Sequence, residues 1–142
     1  YEVSSLPYSD AGGALREFAL GEGSYGNAFM IAYPYWWDHR AVGMEAGVID
    51  WPNGIVTLDN TPEFLYFSNQ RLDRYQLDPS KPLLFLISPN DEIAAQQLEA
   101  WFPEGALEER QSYQPEDFYR LYRVPALGTR NFMAWVQEHY VP

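Results

Sequence analysis

The chain has 142 residues, 46% hydrophobic and 17% aromatic, enough apolar mass for one folded core and too much for an intrinsically disordered segment. It carries 20 acidic against 9 basic residues, a formal net charge of −11, with Lys81 as its one lysine; nucleic acid and an anionic membrane surface are both poor partners. Cysteine is absent, which removes disulfides and zinc–thiolate sites while leaving the compartment open.

The first predicted element is a short amphipathic helix. Ala11, Ala14, Leu15 and Phe18 stand at i, i+3, i+4 and i+7, with Ser9 or Asp10 as cap and Gly21 past the end. The Gly12–Gly13 pair argues against a strong first turn. Gly21 to Gly26 is glycine-rich, but it precedes a strand instead of following one, so it reads as a connection and not as a phosphate-binding loop.

Ala28 to Tyr33 is a continuous apolar run of strand length, the pattern of a strand covered on both faces, and Pro34 ends it. The longer run Ala28–Trp37, interrupted by Pro34, falls short of the about 20 apolar residues that span a bilayer. Asp38 to Ala46 suits a short helix with Gly47 as terminator, and Ile55–Leu58 suits a second strand. Thr61-Pro62-Glu63 resembles a helix start.

Leu83–Ile87 is the clearest strand. Ser88-Pro89-Asn90-Asp91 follows at capping-box spacing, with Ser88 as cap, Pro89 at the first helical position and Asp91 at the third. The ensuing helix places Ala94, Leu98 and Trp101 on one face and stops at Pro103. Leu107–Tyr113 and Asp117–Val124, separated by Gln114-Pro115-Glu116, read as a hairpin. A last helix aligns Phe132, Trp135, Val136 and Tyr140. Buried strands alternating with helices imply an α/β fold: three layers, a mostly parallel sheet flanked by helices, and an antiparallel C-terminal hairpin at one edge.

In such a sheet, ligands bind beyond the carboxyl ends of the strands. If strands 28–33 and 83–87 are neighbours, Tyr35, Trp36, Asp38 and Arg40 from the first exit meet Asn90 and Asp91 from the second. These six are the ligand-binding candidates. Asp38 and Asp91 are also potential acid/base groups, although each stands where a helix N-terminus favours a carboxylate, and capping is the stronger reading. Nothing in the spacing brings Asp38, Asp50 and Asp91 together as a metal site, so no metal and no cofactor is expected. His39, adjacent to Asp38, diverges from it by about 100° on a helix, which does not suit a base and its orienting partner. His139, near the end of the last helix, complements the helix dipole. No nucleophile-elbow, zincin or P-loop pattern is present. Tyr35, Trp36 and Trp37 fit core packing, a protein interface or sugar stacking.

The segments IAYPYWWDHRAVGMEAG, PLLFLISPND, LEAWFPEG and DFYRLYRVP resemble, in texture and order, the soluble C-terminal domain of bacterial polytopic membrane glycosyltransferases related to the dolichyl-phosphate-mannose–protein mannosyltransferases. The resemblance runs from around Asp10 to around Pro125. It implies one extracytoplasmic α/β domain over residues 1–142, cut or processed from a longer chain, with 126–142 as a helical extension beyond the family-like part. The implied partners are the membrane-embedded portion of the same parent chain and a sugar or polyprenyl-linked sugar, without nucleic acid. The family's catalytic acids belong to its membrane part, so the resemblance transfers no catalytic residue. The expected function is therefore a non-catalytic accessory domain that positions an acceptor, a lipid-linked sugar or a partner. The alternatives are a protein-interaction module with an aromatic surface, or a free-standing α/β hydrolase or transferase using Asp38 and Asp91.

Overall fold

Strand β3 (Leu83–Ile87), five consecutive buried apolar residues, is the middle of a five-stranded sheet in the computed structural model, which describes residues 2–31, 39–48, 51–55, 63–87, 91–110 and 119–139. The strand order is β2-β1-β3-β5-β4, with β1 at Ala28–Ile31, β2 at Gly54–Ile55, β4 at Ala106–Arg110 and β5 at Tyr119–Val124. β1 is parallel to both β2 and β3, whereas β5 is antiparallel to β3 and to β4. The expected mostly parallel sheet with an antiparallel hairpin at one edge is thus the observed one. β5 sits inside the sheet and β4 forms the edge.

Alternate residues of a strand face opposite sides, and the buried strands supply two cores in this way. Phe29, Ile31, Leu83, Phe85, Ile87, Tyr122 and Val124 pack on one side against helices α3 (Glu63–Asn69), α4 (Glu92–Trp101) and α5 (Thr129–His139). Ala28, Met30, Leu84, Leu86 and Leu121 pack on the other against α1 (Glu2–Leu20) and α2 (His39–Ala46). This is why β1 and β3 read as unbroken apolar runs and not as alternating ones.

The first helix departs from expectation. α1 begins at Glu2 and passes through Ser9, Asp10 and the Gly12–Gly13 pair, so neither Ser9 nor Asp10 is a cap. Each glycine costs about 1 kcal/mol of helix propensity; the burial of Ala11, Ala14, Leu15 and Phe18 against the sheet outweighs it. α5 is fastened into the first core. Phe132 and Val136 are buried there, the Trp135 ring stacks on Phe102 at 4.8 Å, and its Nε1 donates to the Trp101 carbonyl at 3.1 Å. Tyr140, also expected on that stripe, lies outside the described residues.

The amino ends of the strands are tied by buried amides. Asn27 Nδ2 donates toward the carbonyls of Asp78, Pro82 and Lys81 at 2.8, 3.0 and 3.1 Å, and its Oδ1 accepts from the Asp78 N–H at 2.8 Å. Gly26 is required beside it, since a Cβ would stand 2.5 Å from the Gln76 carbonyl oxygen. α2 ends as predicted at Gly47, whose φ of 98° is left-handed. Tyr25 and Arg16 both donate to the last carbonyl of that helix, Ala46, at 3.1 and 3.2 Å.

Candidate functional site

The register aligns Ile31 with Ile87, so the carboxyl ends of β1 and β3 stand side by side. β2 lies beyond β1 on one side and β5 beyond β3 on the other. The order of the strands therefore reverses between β1 and β3, which makes their carboxyl ends the topological switch point of the sheet. The condition for a shared cleft, that the two strands be neighbours, is met.

Tyr35, Trp36, Asp38 and Asn90 lie outside the described residues, as do Trp37, Asp50 and Ser88. Arg40 falls in the first turn of α2, with its side chain outside the described part. Asp91 is described in full, and it caps its helix as expected, but from a position three residues earlier in the helix than expected. α4 starts at Glu92, so Asp91 is the cap itself and not the third helical residue. Its Oδ1 accepts the Ala94 N–H at 3.0 Å, and the residue is 5% exposed. A carboxylate held in this way satisfies one of the orphan donors of the helix N-terminus. Asp91, three residues before Ala94, makes the N-cap bond itself, and the cap expected at Ser88 lies outside the described residues.

The structure adds a residue that the sequence reading passed over. Arg120 on β5 stands opposite Ile87 and is 7% exposed. Its Nη1 donates to Glu92 Oε2 at 3.2 Å and its Nη2 to the Asp91 carbonyl at 3.3 Å, which ties β5 to the first turn of α4. A signal was present: Arg120, Tyr122 and Val124 share one face by the strand period of two, and that face is otherwise apolar. The carboxyl end of β3 thus carries a buried guanidinium and the positive end of a helix, balanced by the Asp91 and Glu92 carboxylates.

Open concavities also lie elsewhere among the described residues, including one of about 470 Å³ lined by Glu22, Pro82, Glu104, Arg123 and Ala126, among others. A groove of about 200 Å³ between β2 and α3 is lined by Phe29, Asn53, Ile55, Phe64, Phe67 and Arg71, among others. A polar hollow of about 400 Å³ at the amino end of β3 includes Ser24, Asn69, Asp73, Arg74, Asp78 and Lys81. Its carboxylates are already engaged. A hydrogen bond from Arg71 holds Asp73 below its ordinary value, and the Ser80 hydroxyl does the same for Asp78. Among the described residues, no three His, Asp or Glu side chains converge as a metal site, and no helix is long and apolar enough to cross a membrane. Comparison with protein-family models, with curated proteins and with solved structures found no match to this chain.

Proposed function

We propose that this chain is a non-catalytic binding domain whose ligand cleft opens at the carboxyl ends of β1 and β3, and that it serves as an accessory to a membrane-bound, glycosyltransferase-like protein on the extracytoplasmic side. The observation that carries the first part is the pairing of β1 with β3 at the switch point. The segments that leave these two ends contain Tyr35, Trp36, Asp38 and Asn90, a set suited to stacking on and hydrogen-bonding a polyhydroxylated ligand.

The electrostatics favour a neutral ligand. Helix N-termini attract anions, but at α4 the Asp91 carboxylate occupies the orphan N–H, and Glu92 faces Arg120. A free phosphate would meet two carboxylates there; a sugar ring would not suffer from them. The same capping bond weighs against a hydrolase or transferase built on Asp38 and Asp91, because a carboxylate committed to a helix N-terminus is poorly placed to shuttle protons.

The accessory role rests on the resemblance of the segments named above. Its test is the complete coding sequence of the parent protein. The reading calls for a series of membrane-spanning helices, each of about 20 apolar residues, on the amino-terminal side of Tyr1. A start codon directly before the Tyr1 codon would remove it and leave the binding cleft as a separate proposition.

A further inference from the structure

Asn53 is followed by Gly54, the pair in which the backbone nitrogen meets least hindrance when it attacks the preceding side-chain amide. In this fold the nitrogen of that amide is engaged. Asn53 is 6% exposed, and its Nδ2 lies 2.8 Å from the Ala28 carbonyl oxygen, 3.3 Å from that of Tyr25 and 3.4 Å from that of Gly26. Its own carbonyl accepts the Met30 N–H at 2.9 Å, and Gly54 opposes Met30 in the β1–β2 register. Trp51 adds a bond from Nε1 to the Tyr25 carbonyl at 3.0 Å. Residues 51–54 therefore fasten the edge strand β2 to the start of β1.

We propose that Asn53–Gly54 is a fold-gated deamidation site, inert while this clamp is closed and converting irreversibly once β2 lifts from β1. The Gly54 nitrogen, having lost its proton to solvent base, attacks Asn53 Cγ. The N–Cγ bond forms, the Cγ–Nδ2 bond breaks, and the amide nitrogen leaves as ammonia with a proton from water. Water then opens the succinimide at either carbonyl, giving aspartate or isoaspartate at position 53. Swinging Cγ onto the Gly54 nitrogen requires Nδ2 to leave all three carbonyls, so closure of the clamp and the reaction exclude each other. The product has no N–H to offer those carbonyls, and an isoaspartate also lengthens the backbone by one atom and shifts the Met30–Gly54 register. Opening of the edge would thus be recorded chemically and would not reverse. This inference goes beyond the binding role and does not depend on it.

The test is peptide mapping by mass spectrometry of the intact chain after incubation at mildly alkaline pH, folded and in denaturing urea. Conversion at Asn53 is expected to be on the order of 10-fold or more slower in the folded protein, because it proceeds only from the locally opened population. In sub-denaturing urea, the conversion rate and hydrogen exchange at the Met30 amide should rise in parallel. Equal rates folded and unfolded, or no conversion in the unfolded chain, would overturn the proposal. The Asn53→Asp variant supplies a second readout. Its carboxylate, facing three carbonyl oxygens, is driven toward the neutral form in the fold, so stability is retained at acid pH and lost as pH rises through that elevated value. A Tm deficit against the parent chain that grows from acid to neutral pH supports the clamp, and a pH-independent or absent deficit contradicts it.

Discussion

At Asp91, stability and proposed function can be separated by a single atom exchange. Asparagine caps a helix about as well as aspartate, whereas alanine in place of either costs about 0.5–2 kcal/mol. Asp91→Asn is therefore expected to leave the urea midpoint nearly unchanged and Asp91→Ala to lower it, both read by chemical denaturation. A carboxylate doing proton chemistry would give a different pattern, with both substitutions equally harmful to activity. The sequence shows that a carboxylate belongs at this helix start but places it three residues further into the helix, as the third helical residue, because the Ser-Pro-Asn-Asp spacing also fits a capping box. Arg120 escapes the sequence reading for a different reason: Asp117–Val124 reads as one arm of a hairpin, which assigns no face to the charge among its apolar residues. Tyr122 gives a second test at this scale. Its hydroxyl donates to the Phe102 carbonyl at 2.6 Å, and burial first, then Glu99 and Glu104, pushes the phenol above its ordinary value. A neutral phenol is thus favoured in the fold, and the stability it contributes is present below its ordinary value and lost as pH rises through the elevated one. Tyr122→Phe should cost about 1 kcal/mol at neutral pH and flatten the alkaline limb of a Tm-against-pH curve. An unchanged alkaline limb would assign that limb to other groups.

Among the elements, β1 and β3 are legible as unbroken apolar runs and α4 by its helical period, each between clear breakers. α1 was truncated in the reading because local propensity at Gly12–Gly13 argues for a break, and only tertiary burial of Ala11 and Leu15 reverses that argument. Of the strand expected at Ile55–Leu58, only Ile55 is described, and β2 at Gly54–Ile55 is anchored by Asn53 and Trp51. α5 was visible as a helix, but its periodicity could not show what it covers. Since Phe132 lies in the same core as β3 and α4, Phe132→Ala is expected to cost about 3–5 kcal/mol, measurable by urea unfolding. A loss below 1 kcal/mol would mean that this helix is only loosely attached. At the β4 edge, a hydrogen bond from Arg110, assisted by Arg123, holds Glu108 below the ordinary carboxylate value. A carboxyl lowered in the fold contributes above its unfolded value and loses that contribution as pH falls through the lowered one. Glu108→Gln should accordingly make the acid limb of the Tm curve shallower while changing the neutral Tm little, because the site is partly exposed and screened.

For the whole molecule, the topology puts the two most buried strands side by side and their exits at one place, and this was the part of the site that the sequence could carry: two apolar runs, each ending in polar and aromatic residues. Which side chains from those exits meet was not legible, because the Tyr35–Trp37 pattern suits a core, an interface or a sugar platform equally well, and periodicity assigns no face within so short a run. The measurement that tests the cleft most directly is a titration of the nitrogen-15-labelled chain with simple sugars and with a soluble polyprenyl-phosphate analogue, followed by amide chemical shifts. Localised shifts at Tyr35, Trp36, Asp38, Asn90 and Asp91, larger with the simple sugars than with the polyprenyl-phosphate analogue, are the predicted result; no shift at millimolar ligand, or shifts confined to α5, would contradict the account.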